Sequence, residues 1–269
     1  MKYKVLVLDM DGTLLSPQNA ITPRTKSALI RAQENGIRLV LASGRPTYGM
    51  TAQANELQLD KHHGCILSYN GGQIIDWQTK EVLHKAELPS EVLPYLYMCA
   101  KTNGMSILSY RGDTIITENP EDKYVQEEAT LVKMPVEKVD NFLAATTHPL
   151  PKCLIVGEAS RLEILEQEMK AHLQGKIGVF RSAPFFLELV SPGIDKALSL
   201  AVLLDKLGIS VDELVAVGDG FNDLTMIQYA GLGVAMANAQ EVVKAAADYI
   251  TLSNAEDGVA HVVEKFLLT

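Results

Sequence analysis

The sequence predicts an α/β protein whose core is a doubly wound parallel sheet, with an α+β domain inserted into it. Three observations support this prediction. Short apolar runs without alternation, such as Val5–Leu8, are typical of parallel strands covered on both faces. Such runs alternate with helical segments at both ends of the chain. Between about residues 83 and 184 this regular alternation of strands and helices changes, which indicates a separate domain.

The first part of the chain is predicted to form a β-loop-α-β-loop-α unit. Thr22 followed by Pro23 predicts the beginning of a helix, and Gly36 predicts its end. A second helical stretch ends near Leu59. The predicted strands of this part are Val5–Leu8, Ile37–Ala42, Cys65–Ser68 and Gln73–Asp76.

The middle of the chain, residues 83–184, is predicted to form the inserted α+β domain. Its strands are predicted at Met105–Tyr110, Thr114–Thr117, Cys153–Val156 and Gly178–Arg181. Its helices are predicted near Ser90–Thr102 and Glu158–His172. The insertion leaves residues 1–82 and 185–269 to form the Rossmann-like core.

After Pro184 the regular alternation of strands and helices is predicted to resume. The strands expected here are Phe186–Val190, Leu214–Val217, Gly233–Ala235 and Tyr249–Thr251. The helices expected here are Asp195–Leu207, Asn222–Tyr229, Ala239–Ala246 and a final helix. All of these elements are assigned to the core.

Composition excludes several classes of function. Of 269 residues, 47% are hydrophobic, enough for a sizeable core. The 24 basic against 33 acidic side chains give a net charge of −9, which argues against nucleic acid as a partner. Three scattered cysteines suggest neither disulfides nor zinc, and no apolar run approaches the length of a membrane span. We therefore expect a cytoplasmic protein without a membrane partner.

Two acidic residues follow the first strand directly. Asp9 and Asp11 lie where doubly wound sheets bind their ligands, beyond the carboxyl ends of the strands. An acidic surface turn is one alternative. A calcium loop is another, but that pattern needs a glycine at its sixth position and helices on both sides.

A second acidic segment repeats this arrangement near the other end of the chain. Asp219 and Asp223 follow the apolar run Leu214–Val217. Carboxylates packed together repel one another unless a cation neutralises them. An all-oxygen site with room for water and a phosphate suits Mg²⁺, so the sequence predicts a magnesium site.

Candidate phosphate ligands lie in two further segments. Ser43 ends the second predicted strand and Gly44 follows it, so a hydroxyl and backbone N–H groups can meet a phosphate there. A simple helix cap is the alternative. Lys196 opens a helix, where the positive end of the macrodipole makes a lysine unusual unless an anion binds nearby. A solvated lysine is the alternative.

Taken together, these four segments resemble the haloacid dehalogenase-like hydrolases, and specifically Cof-type phosphatases with a large α/β cap. The resemblance covers essentially the whole chain. It implies that Asp9 is the nucleophile and Asp11 the general acid/base. Metal ligation is implied for the side chains of Asp9 and Asp219 and the backbone carbonyl of Asp11, with Asp223 supporting that site. Phosphate contacts are implied for Met10, Ser43, Gly44, Lys196 and Asn222.

The function expected from this resemblance is Mg²⁺-dependent hydrolysis of small phosphorylated metabolites, such as sugar phosphates or pyridoxal phosphate. A phosphomutase or phosphotransferase would share the aspartyl phosphate, and a metabolite-binding sensor could use the same fold. The sensor predicts loss of a catalytic acid, yet Asp9 and Asp11 are both present. Arg45 is compatible with either a substrate contact or a structural salt bridge. Asn70 is compatible with a turn that needs an unusual backbone conformation.

Overall fold

The computed structural model describes residues 2–268, which contain two separate sheets and the helices that cover them. In chain order the strands are β1 (Val5–Leu8), β2 (Arg38–Ala42), β3 (Cys65–Ser68), β4 (Gln73–Asp76), β5 (Val82–Lys85), β6 (Ser106–Arg111), β7 (Thr114–Thr117), β8 (Val136–Lys138), β9 (Lys152–Val156), β10 (Gly178–Ala183), β11 (Phe186–Val190), β12 (Leu214–Gly218), β13 (Leu232–Ala235) and β14 (Tyr249–Ile250). Across residues 2–268, no helix is both long and apolar enough to cross a membrane.

The α-helices lie between these strands in the chain order and after the last of them. They are α1 (Pro23–Glu34), α2 (Thr51–Glu56), α3 (Leu93–Thr102), α4 (Lys123–Val132), α5 (Phe142–Ala145), α6 (Ala159–His172), α7 (Lys196–Leu207), α8 (Leu224–Tyr229), α9 (Glu241–Ala246) and α10 (Gly258–Phe266). The chain divides into one unit that ends at His84 and resumes at Asp195, and a second unit formed by Lys85–Ile194.

The sheet of the first unit has eight strands in the order β14-β13-β12-β1-β2-β3-β4-β5. The six strands from β14 to β3 are parallel, and β4 is antiparallel to β3. On one side of β1 the sheet continues from β2 to β5, and on the other side it continues from β12 to β14. The order therefore reverses between β1 and β12, the point at which doubly wound sheets bind ligands.

Alternate residues of the central strands enter two different hydrophobic clusters. In β1, Leu6 and Leu8 pack on one face with side chains of α1 and α10. Val5 and Val7 pack on the opposite face with side chains of α7. Because successive side chains of a strand point to opposite faces, an unbroken apolar run is what a three-layer arrangement requires.

The helix α7 begins where the first unit resumes. Asp195 caps it, because its carboxylate accepts a hydrogen bond from the N–H of Leu198. Gly208 ends it in the left-handed conformation, at φ 63°. Leu200 and Leu203 bury the helix against the sheet. The first residue of this packed and capped helix is Lys196.

The second unit is built on a six-stranded sheet in the order β10-β11-β9-β6-β7-β8. Its pairs are antiparallel except for β7 with β8. Alternate residues of β6, β9 and β11 form one hydrophobic cluster with side chains of α3, α5 and α6. This unit therefore has a core of its own.

The prediction that Phe186–Val190 belongs to the core was wrong. This strand, β11, lies in the second sheet between β10 and β9, and all five of its residues are buried. Its one charged residue, Glu188, pairs with Lys152 of β9 at 2.8 Å. An unbroken buried run marks a central strand in either sheet, and only the pairing partners decide which. The second unit consequently ends at Ile194 rather than at Pro184.

Several elements of the structure were absent from the sequence prediction. They are β5, β8, α4 and α5. The helix α4 has a recognisable signal, because Asp122 caps it and Val125, Ala129 and Val132 form a buried stripe. Its acidic middle, with Glu127 and Glu128 in succession, obscured that stripe.

Candidate active site

The strands β1 and β12 bring two acidic residues to the same edge of the sheet. Leu8 and Val217 are paired in the parallel ladder. The N–H of Asp9 then donates to the carbonyl of Val217 at 3.0 Å, so the ladder continues one residue beyond the strand. Asp219 follows the last residue of β12. The predicted convergence of these two segments is therefore what the fold produces.

Asp219 is fixed from the side of the loop after β1. The Thr13 hydroxyl donates to Asp219 Oδ1 at 2.7 Å. Gly12 has φ +84°, and a Cβ at this position would lie 2.3 Å from Asp219 Oδ2. Only glycine combines this backbone conformation with such a close approach. The side-chain amide of Asn238 binds the Gly12 carbonyl at 2.8 Å, a contact that the sequence did not reveal.

Lys196 is almost completely buried, with 1% of its surface exposed. Its Nζ donates to Asp9 Oδ1 at 2.7 Å, to Asp223 Oδ1 at 2.6 Å and to the carbonyl of Ala42 at 3.0 Å. An ammonium group has three N–H donors, and these contacts account for all three. Lys196 therefore joins the ends of β1 and β2 to the loop after β12.

Asp223 is fully buried and is bound through both of its oxygens. Lys196 binds Oδ1, while the N–H groups of Asp219 and Gly220 donate to Oδ2, each at 2.9 Å. A Cβ on Gly218 would lie 2.5 Å from the Asp223 Cβ, so the loop folds tightly around this carboxylate. Asp223 thus orients the loop that carries Asp219.

Three carboxylates, those of Asp9, Asp219 and Asp223, place one oxygen each within 4.8 Å of one another. Burial, followed by the charge of Asp223, raises the pKa of Asp9 well above its ordinary value, although Lys196 opposes this. Burial also raises the pKa of Asp219 to about 6, against the opposing hydrogen bond from Thr13. Burial by itself would lower the pKa of Lys196, but the charges of Asp223 and Asp9 raise it above its ordinary value.

This charge balance fits a cation. One ammonium group faces three carboxylates, so the cluster carries an excess of negative charge that is costly at this depth. A hard divalent cation with a preference for oxygen would relieve it. Among the described residues, neither Asp9 Oδ2 nor Asp219 Oδ2 has a hydrogen-bond partner in the protein.

The side chain of Asp11 is not one of these three carboxylates, and Arg45 binds it instead. It forms a bidentate ion pair with Arg45, with Nη2 to Oδ1 at 2.5 Å and Nε to Oδ2 at 2.8 Å. Arg45 is anchored in turn by the carbonyl of Gly49 at 3.2 Å. The side chain of Arg45 is 9% exposed and that of Asp11 is 48% exposed. Of the two alternatives for Arg45, the structure contains the salt bridge.

The loop after β2 carries the two residues predicted to bind phosphate there. Ser43 is buried, and its N–H donates to the carbonyl of Leu67 in the neighbouring strand. The N–H of Arg45 donates to Ser43 Oγ at 3.2 Å. The side chain of Met10 is fully buried in the hydrophobic core, so only its backbone can face a ligand.

Asn70 occupies a position that the sequence left ambiguous. Its side-chain oxygen accepts a hydrogen bond from the amide of Asn222 at 3.0 Å. A Cβ on Gly44 would lie 3.0 Å from its side-chain nitrogen. Asn70 therefore lies between two residues that were predicted to contact phosphate. The tripeptide Asn70-Gly71-Gly72 indicated a turn, and nothing in it indicated these neighbours.

Comparison with known proteins agrees with this architecture. The family model of haloacid dehalogenase-like hydrolases matches residues 6–263. A solved haloacid dehalogenase-like hydrolase from Bacteroides thetaiotaomicron is 58% identical, with a TM-score of 0.95, covering 98% of this chain and 99% of that one. YxeH from Bacillus subtilis (strain 168) is 32% identical over 99% of both chains. The pyridoxal phosphate phosphatase YbhA from Escherichia coli (strain K12) is 29% identical over the full length of both.

A parallel sheet with acidic residues and a buried lysine at its switch point defines an α/β protein with a candidate active site at the edge of that sheet. The match over nearly the whole chain narrows that class, and the chain belongs to the haloacid dehalogenase-like hydrolases of the Cof type. Within this family it is a phosphatase, a hydrolase of phosphoric monoesters.

Proposed function

We propose that the protein hydrolyses small phosphorylated metabolites, such as sugar phosphates, in a Mg²⁺-dependent reaction that passes through a phosphoryl group on Asp9. The observation that carries this proposal is the environment of the Asp9 carboxylate. One of its oxygens is held by Lys196 at 2.7 Å, and the other has no hydrogen-bond partner among residues 2–268. A carboxylate fixed in this way is oriented for attack and keeps one oxygen available for it.

In the first step, Asp9 Oδ2 attacks phosphorus while the bond from phosphorus to the ester oxygen breaks. Asp11 gives its proton to the departing alkoxide. To carry this proton, one oxygen of Asp11 must leave its bidentate contact with Arg45, and the exposed position of Asp11 allows this movement. Ser43, Lys196, Asn222 and the backbone at Met10 and Gly44 are the proposed phosphate contacts.

In the second step, water attacks the phosphorus of the aspartyl phosphate. Asp11 takes the proton of this water, the Asp9–phosphorus bond breaks, and inorganic phosphate is the product. This proton returns Asp11 to the neutral acid that the next turnover needs, and the anionic form present between the two steps is the one that Arg45 binds through two hydrogen bonds. The same side chain thus serves as acid in one half of the reaction and as base in the other.

The residues that would hold Mg²⁺ are Asp9, Asp219 and the backbone carbonyl of Asp11, with Asp223 as a fourth candidate. Both oxygens of Asp223 already accept hydrogen bonds, so we assign it the role of orienting Asp219. When bound, the ion neutralises charge on the phosphoryl oxygens. Without the ion, burial and then the charge of Asp223 raise the pKa of Asp219 to about 6.

The test is the release of inorganic phosphate from a panel of phosphomonoesters that includes sugar phosphates and pyridoxal phosphate. Each ester is assayed with Mg²⁺ and with a chelator. We expect turnover of one or more esters only with Mg²⁺. When a reaction with a ³²P-labelled ester is stopped with acid, we expect acid-stable label on the wild-type protein. Full activity after confirmed metal removal would contradict the metal dependence. Release of an isomerised sugar phosphate instead of inorganic phosphate would favour a phosphomutase.

A further inference from the structure

The segment after β3 has an unusual backbone. Tyr69 and Asn70 have φ values of 55° and 56°, and Gly71 follows with φ 107°. Among the described residues, Tyr69 and Asn70 are the one adjacent pair of non-glycine residues with positive φ. This conformation is rare for a bulky aromatic residue and is costly. It persists only where the surrounding structure fixes it.

Backbone hydrogen bonds fix this segment to the loop that follows β2. The N–H of Tyr69 donates to the carbonyl of Arg45 at 3.0 Å, and the N–H of Asn70 donates to the carbonyl of Ser43 at 2.9 Å. Two successive N–H groups therefore brace both sides of Gly44. The left-handed turn is what points both of them at this loop.

The same segment is also fixed to α7. The Ser199 hydroxyl donates to the carbonyl of Gly71 at 2.8 Å. A Cβ on Gly71 would lie 2.4 Å from Ser199 Oγ and 2.8 Å from the carbonyl oxygen of Asp195. Gly71 therefore packs directly on the first turn of the helix that begins with Lys196.

The side chain of Asn70 completes these connections. It lies beside Gly44, where an added Cβ would be 3.0 Å from the Asn70 side-chain nitrogen, and it accepts the hydrogen bond from Asn222. Gly44 follows β2 and Asn222 follows β12, so these two residues lie far apart in the sequence. Both are assigned to the phosphate by the proposed function.

We propose that Asn70 is a positioning residue of the phosphate site, which holds Gly44 and Asn222 at the spacing that binds one phosphoryl group. The inference rests on the proposed function for the identity of the ligand. Asparagine suits this position because it tolerates the left-handed conformation and still has a side chain that reaches both neighbours. Its amide is neutral, so it adds no negative charge beside an anion.

Two substitutions separate the backbone from the side chain. Asn70→Gly keeps the left-handed turn and removes the bridge to Asn222. Asn70→Asp keeps the shape and the acceptor for Asn222 but adds a negative charge. Asn19 provides matched controls, because it is also left-handed, at φ 56°, but lies in an exposed turn of the same unit. Asn19→Gly and Asn19→Asp carry the same chemical changes away from the site.

The primary measurement is the dissociation constant of inorganic phosphate by calorimetry in the presence of Mg²⁺. KM and kcat for an ester that the wild type hydrolyses, and the thermal unfolding midpoint, accompany it. We expect Asn70→Gly to weaken phosphate binding about tenfold, the equivalent of one hydrogen bond. Asn70→Asp should weaken phosphate binding further, because the aspartate repels the phosphate. This additional loss should be larger at low salt, since salt screens the repulsion between charges. Both controls should bind phosphate as the wild type does.

The outcomes separate the inference from the proposed function. Folded Asn70→Gly and Asn70→Asp proteins whose phosphate affinity and KM stay within about twofold of wild type would overturn the inference, since twofold is below the effect of one hydrogen bond. Should Asn70→Gly fail to fold, Asn70→Asp decides by itself. A wild type that binds no phosphate would also overturn the inference. A wild type that binds phosphate but hydrolyses no ester overturns the proposed function alone.

Discussion

The side chains of the site differ in how many partners hold them. Lys196 binds two carboxylates and a carbonyl from three separate segments, and this saturates its donors. The Asp11 side chain, by contrast, has Arg45 as its one partner among residues 2–268 and is half exposed. The difference fits the proposed division of labour, in which Lys196 maintains the electrostatics while Asp11 moves to exchange a proton.

The substitution Asp9→Asn tests the nucleophile. The amide is nearly isosteric and keeps an oxygen for Lys196, but it cannot supply an anionic nucleophile. We expect phosphate release to fall to about 1% of wild type or less, with no acid-stable phosphoryl label. Asp60→Asn, at an exposed position, is the control and should behave as wild type. Activity above a few per cent in a protein purified free of wild type would rule out the covalent mechanism.

The raised pKa of Asp219 makes the metal-free protein sensitive to pH. Between the ordinary carboxylate value near 4 and about 6, the folded state binds more protons at Asp219 than the unfolded state does. Stability contributed by this group therefore falls as the pH rises through that window, and it stays low above it. Asp223, Lys196, Asp11 and Thr13 are the neighbours that influence this group.

Asp219→Asn should remove this penalty. At pH 8, without metal, we expect the variant to unfold at a higher temperature than wild type, by the equivalent of about 1–2 kcal/mol after solvent screening. Mg²⁺ should then stabilise wild type but not the variant, because ligands that bind only the folded state raise its stability. Thermal unfolding from pH 4 to pH 8 measures both effects. A variant less stable than wild type at pH 8 would contradict the assignment.

At the scale of elements, the strand β11 shows what a buried charge does in a sheet. Glu188 lies in the middle of the strand and is almost fully buried, as is its partner Lys152 on β9. The Ser182 hydroxyl donates a further hydrogen bond to Glu188 at 2.8 Å. A buried carboxylate of this kind is tolerated only when it is paired and hydrogen-bonded.

Lys152→Met should therefore destabilise the second unit strongly. It leaves Glu188 buried without a counter-charge, at a cost of about 3–5 kcal/mol in the free energy of unfolding. The double variant Lys152→Met/Glu188→Leu should recover most of this loss. Arg111→Met breaks the exposed pair with Glu137 in the same sheet and should cost less than about 1 kcal/mol. Urea unfolding compares the variants, and equal costs for Lys152→Met and Arg111→Met would refute the argument.

At the scale of the whole molecule, each of the two units contains its own sheet, with two hydrophobic clusters in the first unit and one in the second. The second unit is continuous in sequence, whereas the first is assembled from both ends of the chain. A continuous segment of about 110 residues with a closed core is within the size range of domains that fold alone.

The fragment of residues 85–194 should accordingly fold by itself, and the fragment of residues 85–184 should not. The shorter fragment lacks β11, so β10 and β9 lose the strand that joins them. Circular dichroism and the cooperativity of thermal unfolding measure the difference. An unfolded 85–194 fragment, or an 85–184 fragment of equal stability, would contradict the division of the chain at Ile194.

Local signals in the sequence determined the elements that carry the site. An apolar run followed at once by acidic residues located the ends of β1 and β12, because burial on both faces and the turn that follows are encoded within a few residues. The cap of α7 likewise placed Lys196 at the beginning of a helix. These signals involve residues that are close together in the sequence, so they can be recognised without knowledge of the fold.

The tertiary structure alone decided which partners these elements have. The run Phe186–Val190 is equally suited to either sheet, since periodicity encodes burial and not the neighbouring strand. The ion pair of Arg45 with Asp11 and the bridge from Asn70 to Asn222 join segments that are distant in the sequence. Hydrogen bonds and charge pairs depend on distances of about 3 Å, which only the packed chain defines.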